Sequence, residues 1–309
     1  MIVVAGEALV DLVGGCSPLA PLTPTRGGGP YNTAVALGRL GSATGFCSRI
    51  STDAYGKALL EGLTEAGVNT RMVQRGPEPT SLTVARIAPD GSASYDFYTE
   101  GTADRLFQEP VDLPLGVRAV HFGTCSLALE PGASAYEELM KEAAWQGTFV
   151  ALDPNIRPSL IADPDAYRKR FRSWLRHVTL LKVSEEDARW LGGGPSEWLA
   201  AGPAAVVITA GSSGMTVFTQ NLEVSVSAPA VDVVDTVGAG DSVNAALLHA
   251  LSKRGTLELR ASSAVAALDA EAWTAILGFA ARAAAITCSR TGAEPPYAAE
   301  VDAAITAPG

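Results

Sequence analysis

The chain reads as an α/β protein: a doubly wound, mostly parallel central sheet flanked by helices, with a small β-sheet lid. Three observations predict it. From Val117 onward short apolar runs alternate with helical segments, as in Val117–Phe122 then Gly132–Trp145 and Thr148–Leu152 then Pro164–Leu175. The glycine-rich and charged stretches fall mostly just after the apolar runs, where open parallel sheets bind ligands. One region breaks the alternation: Ser81–Ala88 and Ser92–Thr99 flank Pro89-Asp90-Gly91, a hairpin signal. With the region from Ala8 to Thr25 it predicts a lid of segments about 8–26 and 80–100 on a single domain spanning 1–309.

Taken in order, Ile2–Ala5 is a buried strand ending at Gly6, and Ala8–Val13 is a second apolar run carrying Asp11. Gly14 to Pro30, rich in Gly, Pro and Thr, is loop or edge. A helix then places Ala34, Leu37 and Leu40 on one side and stops at Gly41, with Asn32 in its first turn. Thr44–Ile50 is a strand, Tyr55–Ala66 a helix closed by Gly67, and Met72–Gln74 a short strand. Val178–Val183 and Ala205–Thr209 are strands, Glu185–Leu191 a short helix, and Met215–Thr219 with Leu222–Ser227 a hairpin. Val231–Val234 reads as a strand end, followed by a glycine-rich turn and a helix to Leu251. The Ala-rich stretch from Ala261 to Ala285 is helix.

A net charge of −10 over 309 residues argues against nucleic-acid and anionic-membrane partners. Four cysteines without CxxC spacing and three histidines give no zinc pattern; they read as reduced thiols of a cytoplasmic protein. The apolar N-terminus lacks a basic leader and meets Glu7 and Asp11, so it is a first strand rather than a signal peptide.

The stretch with most chemistry is Asp235-Thr236-Val237-Gly238-Ala239-Gly240-Asp241. A helix start carries unpaired N–H groups and partial positive charge, and glycines let a ligand approach the backbone. A carboxylate there repels phosphate but can take a proton from a hydroxyl that attacks it, which predicts phosphoryl transfer to an alcohol. The plainer reading is tight strand–helix packing with Asp235 as a cap. Gly27-Gly28 with Asn32 and Asp11 reads equally as a loop with a helix-start amide or as a site for a vicinal polyol. Arg157, after Asp153-Pro154-Asn155-Ile156, reads as a loop brace or as an anion partner. Ser184 followed by Glu185, Glu186 and Asp187 is a helix cap whose acids could also hold a hydrated Mg²⁺.

With these residues assembled, the chain resembles the ribokinase-like, or PfkB, family of sugar kinases over nearly its whole length. Gly27-Gly28 with Asn32 resembles the N-terminal signature and Asp235–Asp241 the DTxGAGD signature. Thr209-Ala210-Gly211-Ser212-Ser213-Gly214 resembles the nucleotide loop, and Arg290-Thr291-Gly292-Ala293 the C-terminal loop beside it. The resemblance implies ATP-dependent transfer to a hydroxymethyl group: Asp241 as general base, the amides of Gly238, Ala239 and Gly240 as anion hole, and Asp11, Gly28, Asn32 and Arg157 around the sugar. It likewise implies Thr209, Gly211, Gly214, Gly238 and Gly240 as the ATP contacts. Mg²⁺ is the implied cofactor, with Asp187 acting through water; K⁺ is a further cofactor the pattern admits, near Asp235.

The sequence departs from the pattern in three places. Ser184 and Asp187 stand where Asn-x-x-Glu is common, Val237 replaces a common Thr, and Ser242-Val243-Asn244 after Asp241 replaces the usual Ala/Thr-Phe run. Gly6–Asp11, Tyr98–Asp104, Leu127–Gly132 and Asp153–Pro158 are similar to fructokinases. Glu100 after Phe97-Tyr98 is expected to repel a sugar acid, which favours a ketose over 2-keto-3-deoxygluconate; Arg105 keeps that rival open, and a ribose or nucleoside kinase is a third reading. A catalytically silent sugar- or nucleotide-binding protein is the reading from another class. An exposed lid edge predicts a homodimer.

Overall fold

The computed structural model describes residues 1–15, 17, 19–87, 93–110, 113–258 and 261–304. The first strand, β1 (Ile2–Ala5), opens into β2 (Leu9–Gly15) and β3 (Thr23–Gly27). Then come α1 (Gly29–Arg39), β4 (Thr44–Ser51), α2 (Ala54–Glu65), β5 (Asn69–Gly76), β6 (Leu82–Ile87) and β7 (Ala93–Tyr98). Strand and helix alternate through β8 (Ala119–Gly123), α3 (Gly132–Trp145), β9 (Phe149–Asp153), α4 (Pro164–Trp174), β10 (Leu180–Ser184), α5 (Glu185–Leu191) and α6 (Pro195–Ala201). The chain closes with β11 (Ala205–Thr209), β12 (Met215–Phe218), β13 (Glu223–Val226), α7 (Ala239–Lys253), α8 (Ala261–Ala266), α9 (Ala270–Cys288) and α10 (Ala298–Ala303).

Nine strands form one sheet in the order β13-β12-β11-β10-β9-β8-β1-β4-β5. The run from β11 to β5 is parallel, and the hairpin β12–β13 adds an antiparallel edge. Helices cover both faces, so β1, β8 and β9 are buried at every position and read as continuous apolar runs. One core layer packs Leu37, Leu59, Leu63, Leu247, Leu248, Trp273 and Leu277 from α1, α2, α7 and α9 against the sheet. The other packs Tyr136, Met140, Phe171, Trp174, Leu191 and Trp198 from α3 to α6. The chain leaves β1 towards β4 on one side and returns beside it as β8, so the carboxyl ends of β1 and β8 flank a topological switch point.

A smaller sheet, β3-β2-β6-β7, stands apart from the first. It pairs β2 with β6 in parallel and adds β3 and β7 antiparallel at its edges. The register sets Thr25, Asp11, Thr83 and Phe97 in one cross-strand row and Thr23, Val13, Ala85 and Tyr95 in the next. Side chains alternate faces along a strand, so all eight share a face.

The structure differs from the sequence expectation in particular elements. Val231–Val234 is not a strand: Val231, Val233 and Val234 are exposed. The backbone N–H groups of Val234 and Asp235 instead both donate to the carbonyl of Cys288 at the end of α9 (2.8 and 3.2 Å). The Ala-rich helix is two helices, the second restarted by Asp269, whose side chain accepts from Ala272 N. α6 and α10, of 7 and 6 residues, were too short to show a helical period. The turn Pro89-Asp90-Gly91 lies outside the described residues, as does Cys16; Cys47, Cys125 and Cys288 are free thiols. Among the described residues no helix is long and apolar enough to cross a membrane.

Candidate active site

A cleft of about 650 Å³ lies between the carboxyl edge of the large sheet and the eight-residue face of the small one. Its small-sheet side is lined by Asp11, Thr25, Thr83 and Phe97 with the neighbouring row. Its floor comes from residues that follow strands: Glu7 after β1, Thr124 and Cys125 after β8, Asn155 and Arg157 after β9. Asp235–Gly238, Gly240 and Asp241 form one wall, and Thr291, Gly292 and Ala293 close it.

Asp241 sits in the first turn of α7 and is 8% exposed. Asn32 donates to its Oδ2 from Nδ2 at 2.9 Å, tying the first turn of α7 to that of α1 across 209 residues of sequence. Burial pushes the Asp241 carboxyl up to about 7, against the lowering effect of Asn32 and of the Lys182 and Arg157 charges. A base with that pKa suits proton removal near neutral pH.

Gly238 caps α7 in the left-handed region (φ 78°). Its N–H and that of Gly240 have no acceptor among the described residues, so both are available to an anion. The third expected amide differs. Ala239 N donates to the Thr236 carbonyl (3.3 Å), and Ala239 does not line the cleft, because the turn that frees its neighbours is closed by this bond. Asp235 does not cap the helix. Its Oδ1 accepts from Val237 N (3.0 Å) and its Oδ2 from Gly292 N (2.9 Å), which fastens the glycine turn to the 290–293 loop.

Asp11 is in β2, and burial lifts its carboxyl to about 6 despite a hydrogen bond from Thr83 and the charge of Arg157. Gly27 packs against its carboxylate, where a side chain has no room. Gly28 (φ 103°) turns the chain from β3 into α1. A Cβ at Gly29 would come within 2.6 Å of Thr124, 3.2 Å of Asp241 and 3.4 Å of Asn155, so this glycine keeps the meeting point of three loops open. Arg157 lines the cleft with Nη1 donating to the Asn155 side chain (2.7 Å) and the Asn155 and Ile156 carbonyls.

The remaining expected residues fall elsewhere. Thr209 ends β11 and Gly211 and Gly214 follow it on the same carboxyl edge, but they do not line this cleft. Asp187 is buried in a capping box with Ser184, and its Oδ1 accepts from Ile156 N (2.8 Å); it braces the 153–157 loop and does not reach the cleft lining. Among the described residues no group of three or more metal-ligating side chains could hold an ion.

Sequence reasoning did not single out Glu7, Thr124 or Asn155 as site residues. Glu7 is buried with its carboxyl pushed up by desolvation, and accepts from Thr124 Oγ1, Ser126 Oγ and Ser126 N. Thr124 (φ 60°) and Asn155 (φ 39°) are the non-glycine residues with positive φ among those described, and both are on the cleft floor. Strain of this kind, of order 1–3 kcal/mol each, concentrates at functional sites. Their positions directly after strands were the available signal.

Arg105 and Glu100, which bore on the substrate, pair with each other: Arg105 Nη1 donates to Glu100 Oε2 (2.6 Å) and its other nitrogens to the Glu130 carbonyl. Neither lines the cleft. The repulsion expected from Glu100 therefore does not operate there, and Asp11 is the small-sheet carboxylate that lines the cleft.

Comparison with known proteins agrees with this geometry. Residues 1–299 match the model of the pfkB family carbohydrate kinases. The chain is similar to a fructokinase of Rhizobium leguminosarum bv. trifolii, 38% identical over 284 residues, covering 88% of this chain and 85% of that protein. Among solved structures, a fructokinase from Xylella fastidiosa with bound ATP superposes with a TM-score of 0.86 at 26% identity, covering 98% of each chain. A fructokinase from Vibrio cholerae O395 in fructose, ADP and calcium ion bound form gives 0.82 at 26% identity, covering 98% of this chain and 97% of that one. With its fold, its two glycine turns and this sequence match in place, the chain belongs to the pfkB family of carbohydrate kinases.

Proposed function

We propose that the protein is an ATP-dependent sugar kinase that transfers the γ-phosphoryl of ATP to a hydroxymethyl group of a ketose, D-fructose first among them. The observation that carries the reading is Asp241: a buried carboxylate hydrogen-bonded to Asn32, one turn from the free amides of Gly238 and Gly240, in the wall of a cleft whose opposite side carries Asp11, Thr25 and Thr83. The fructokinase relatives supply the substrate.

In this reading the sugar lies under the lid, where Asp11 and Asn32 take its hydroxyl hydrogen bonds and Gly28 leaves backbone room. Arg157 braces the Asn155 loop against it. Asp241 accepts the proton of the attacking hydroxyl, and the amides of Gly238 and Gly240 meet the charge on the transferred group. The loop of Thr209, Gly211 and Gly214 takes the far part of the nucleotide. Segments 8–26 and 80–100 act as a lid on one domain and exclude water, so that ATP is not lost to hydrolysis. Mg²⁺ neutralises the triphosphate when bound. Asp187, whose oxygens are engaged by Ile156 N and Ser184, would reach such an ion only through water. K⁺ would share the Asp235 carboxylate with two backbone N–H groups. The lid edges β3 and β7 are the surfaces for a homodimer, which light scattering tests.

The deciding experiment is ADP release with D-fructose, 2-keto-3-deoxygluconate, ribose and adenosine. The expected order of kcat/KM puts fructose first, because Asp11 faces the ligand and Arg105 is engaged outside the cleft. A higher value on the keto acid overturns the ketose assignment. Nucleotide binding with no ADP release on any sugar identifies a silent binding protein instead.

The pH profile follows from the same groups. Asp241 accepts a proton only when ionised, so log kcat/KM is expected to rise with unit slope towards pH 7 and then level. Below pH 6 the slope steepens as Asp11 also protonates. A profile flat from pH 5.5 to 8 contradicts both assignments.

A further inference from the structure

Beneath the glycine turn lies a buried polar cluster that the reading above leaves unused. Asp153 ends β9 and Lys182 lies in β10, one position beyond the paired residues Leu152 and Leu181. By strand alternation they share a face with Ala151 and Leu180, which pack with α7 in the core. Lys182 Nζ donates to Asp153 Oδ2 at 2.8 Å, with both side chains almost wholly buried. Asn244, three residues beyond Asp241 on the same helix, donates from Nδ2 to that oxygen at 2.7 Å. Asn244 belongs to Ser242-Val243-Asn244, the run that departs from the family signature. Ser242 is also accounted for, by a hydrogen bond to Thr287 on α9 (2.7 Å).

A buried ion pair of this kind is a poor device for stability. Desolvating the two charges costs several kcal/mol per ion, and apolar residues of similar volume commonly do as well. The position of the ammonium supplies another reason. Lys182 lines the cleft, and its Nζ is 3.2 Å from where a Cβ on Gly240 would stand. An ammonium has three N–H donors, and Asp153 is its one acceptor among the described residues. Burial would lower the Lys182 pKa, but the carboxylates of Asp153, Asp187 and Asp241 hold it above its ordinary value, so the group is charged. His121, the other titratable group packed here, is kept neutral by burial, its pKa lowered to about 4.

We infer that Lys182 is a catalytic cation of the phosphoryl transfer, presenting its free N–H groups beside the amides of Gly238 and Gly240, and that Asp153 and Asn244 are positioning residues that aim it. The inference rests on the kinase reading. In the step, the bond from the γ-phosphorus to the ADP oxygen breaks and the bond to the sugar oxygen forms. The hydroxyl proton goes to Asp241, and Lys182 exchanges no proton; it offsets the charge of the moving group. Fixed charge at this point, shielded from water, requires no reorganisation during reaction. It also offsets the repulsion between the anionic phosphoryl group and Asp241.

The test uses the full-length enzyme and the double variant Lys182→Met/Asp153→Asn, which removes both charges and leaves no buried ion unpaired. Expected is a fall in kcat of about 100-fold, the scale of losing one oxyanion-hole donor, with the fructose KM changed less than about threefold. Addition of aluminium fluoride to ADP and fructose should tighten nucleotide binding in the parent and fail to do so in the variant. A fall below tenfold, a loss carried by KM, or retained tightening overturns the inference. Asn244→Leu, matching Asn in heavy-atom number and branching and leaving the ion pair intact, serves as the second variant, and decides alone if the double variant does not fold. About a tenfold loss of kcat at constant KM is expected, and unchanged kcat overturns the role of the cluster. Absence of fructose-dependent ADP release in the parent enzyme is the separate result that defeats the kinase reading itself.

Discussion

Asp241→Asn is expected to lower kcat for fructose phosphorylation by about 10³-fold, within the range of a lost general base, while ADP and fructose still bind. The substitution keeps the volume and removes the ability to accept the hydroxyl proton. It also leaves the Asn32 amide a carbonyl to donate to, so the tie between α1 and α7 survives. Removing a buried carboxylate with a raised pKa relieves desolvation, so the melting temperature should hold or rise. Single-turnover ADP formation against calorimetric binding separates the two quantities. Turnover within tenfold of the parent would show that another group takes the proton. The limb of the pH profile near 7 should disappear in whatever activity remains, leaving the Asp11 limb near 6.

Gly238→Val carries the second large effect. The residue is in the left-handed region at φ 78°, where a β-branched side chain is strained by of order 1–3 kcal/mol. The added Cβ would lie 2.7 Å from Ala293 Cβ and 2.9 Å from its Cα, so turn and loop cannot both stay in place. The amides of Gly238 and Gly240 and the Asp235 bridge to Gly292 depend on that packing. A kcat loss of about 10²–10³-fold is expected, with weaker nucleotide binding and a lower melting temperature. Fructose binding measured without nucleotide should change little, since Asp11 and Asn32 belong to other elements. If fructose affinity fell while kcat held, the turn would belong to the sugar half of the cleft instead.

The two effects separate proton removal from charge stabilisation, functions proposed for residues three apart in sequence. Their closeness on one helix start is why that stretch was readable without a structure. The carboxylate and the glycines announce a local geometry, because glycine at a left-handed position and an acid in a first turn have few other uses together. The alternation of strands and helices was equally readable, since buried parallel strands are apolar throughout and helices show their own period.

Other parts were not readable for a common physical reason: they depend on what a residue meets far along the chain. Val231–Val234 has strand composition, yet it runs exposed because its N–H groups find the end of α9 rather than a neighbouring strand. Glu100 and Arg105 looked like opposing votes on the substrate, and in the fold they neutralise each other outside the cleft. Lys182 looked like the end of a core strand before a helix cap. Only the pairing of β9 with β10 and the packing of α7 over them bring Asp153, Lys182 and Asn244 together under the glycine turn.

By itself the sequence determined the fold class, the family and the glycine turn with its flanking acids, all features written in local pattern and spacing. The tertiary structure alone decided which amides of that turn are free, that Asp11 rather than Glu100 lines the cleft, and that a buried ammonium stands beside Gly240. Local chemistry is encoded by neighbours in the chain. Charge balance in a buried cleft is set by residues that only folding brings within a few ångströms, where low polarity makes their mutual effects large.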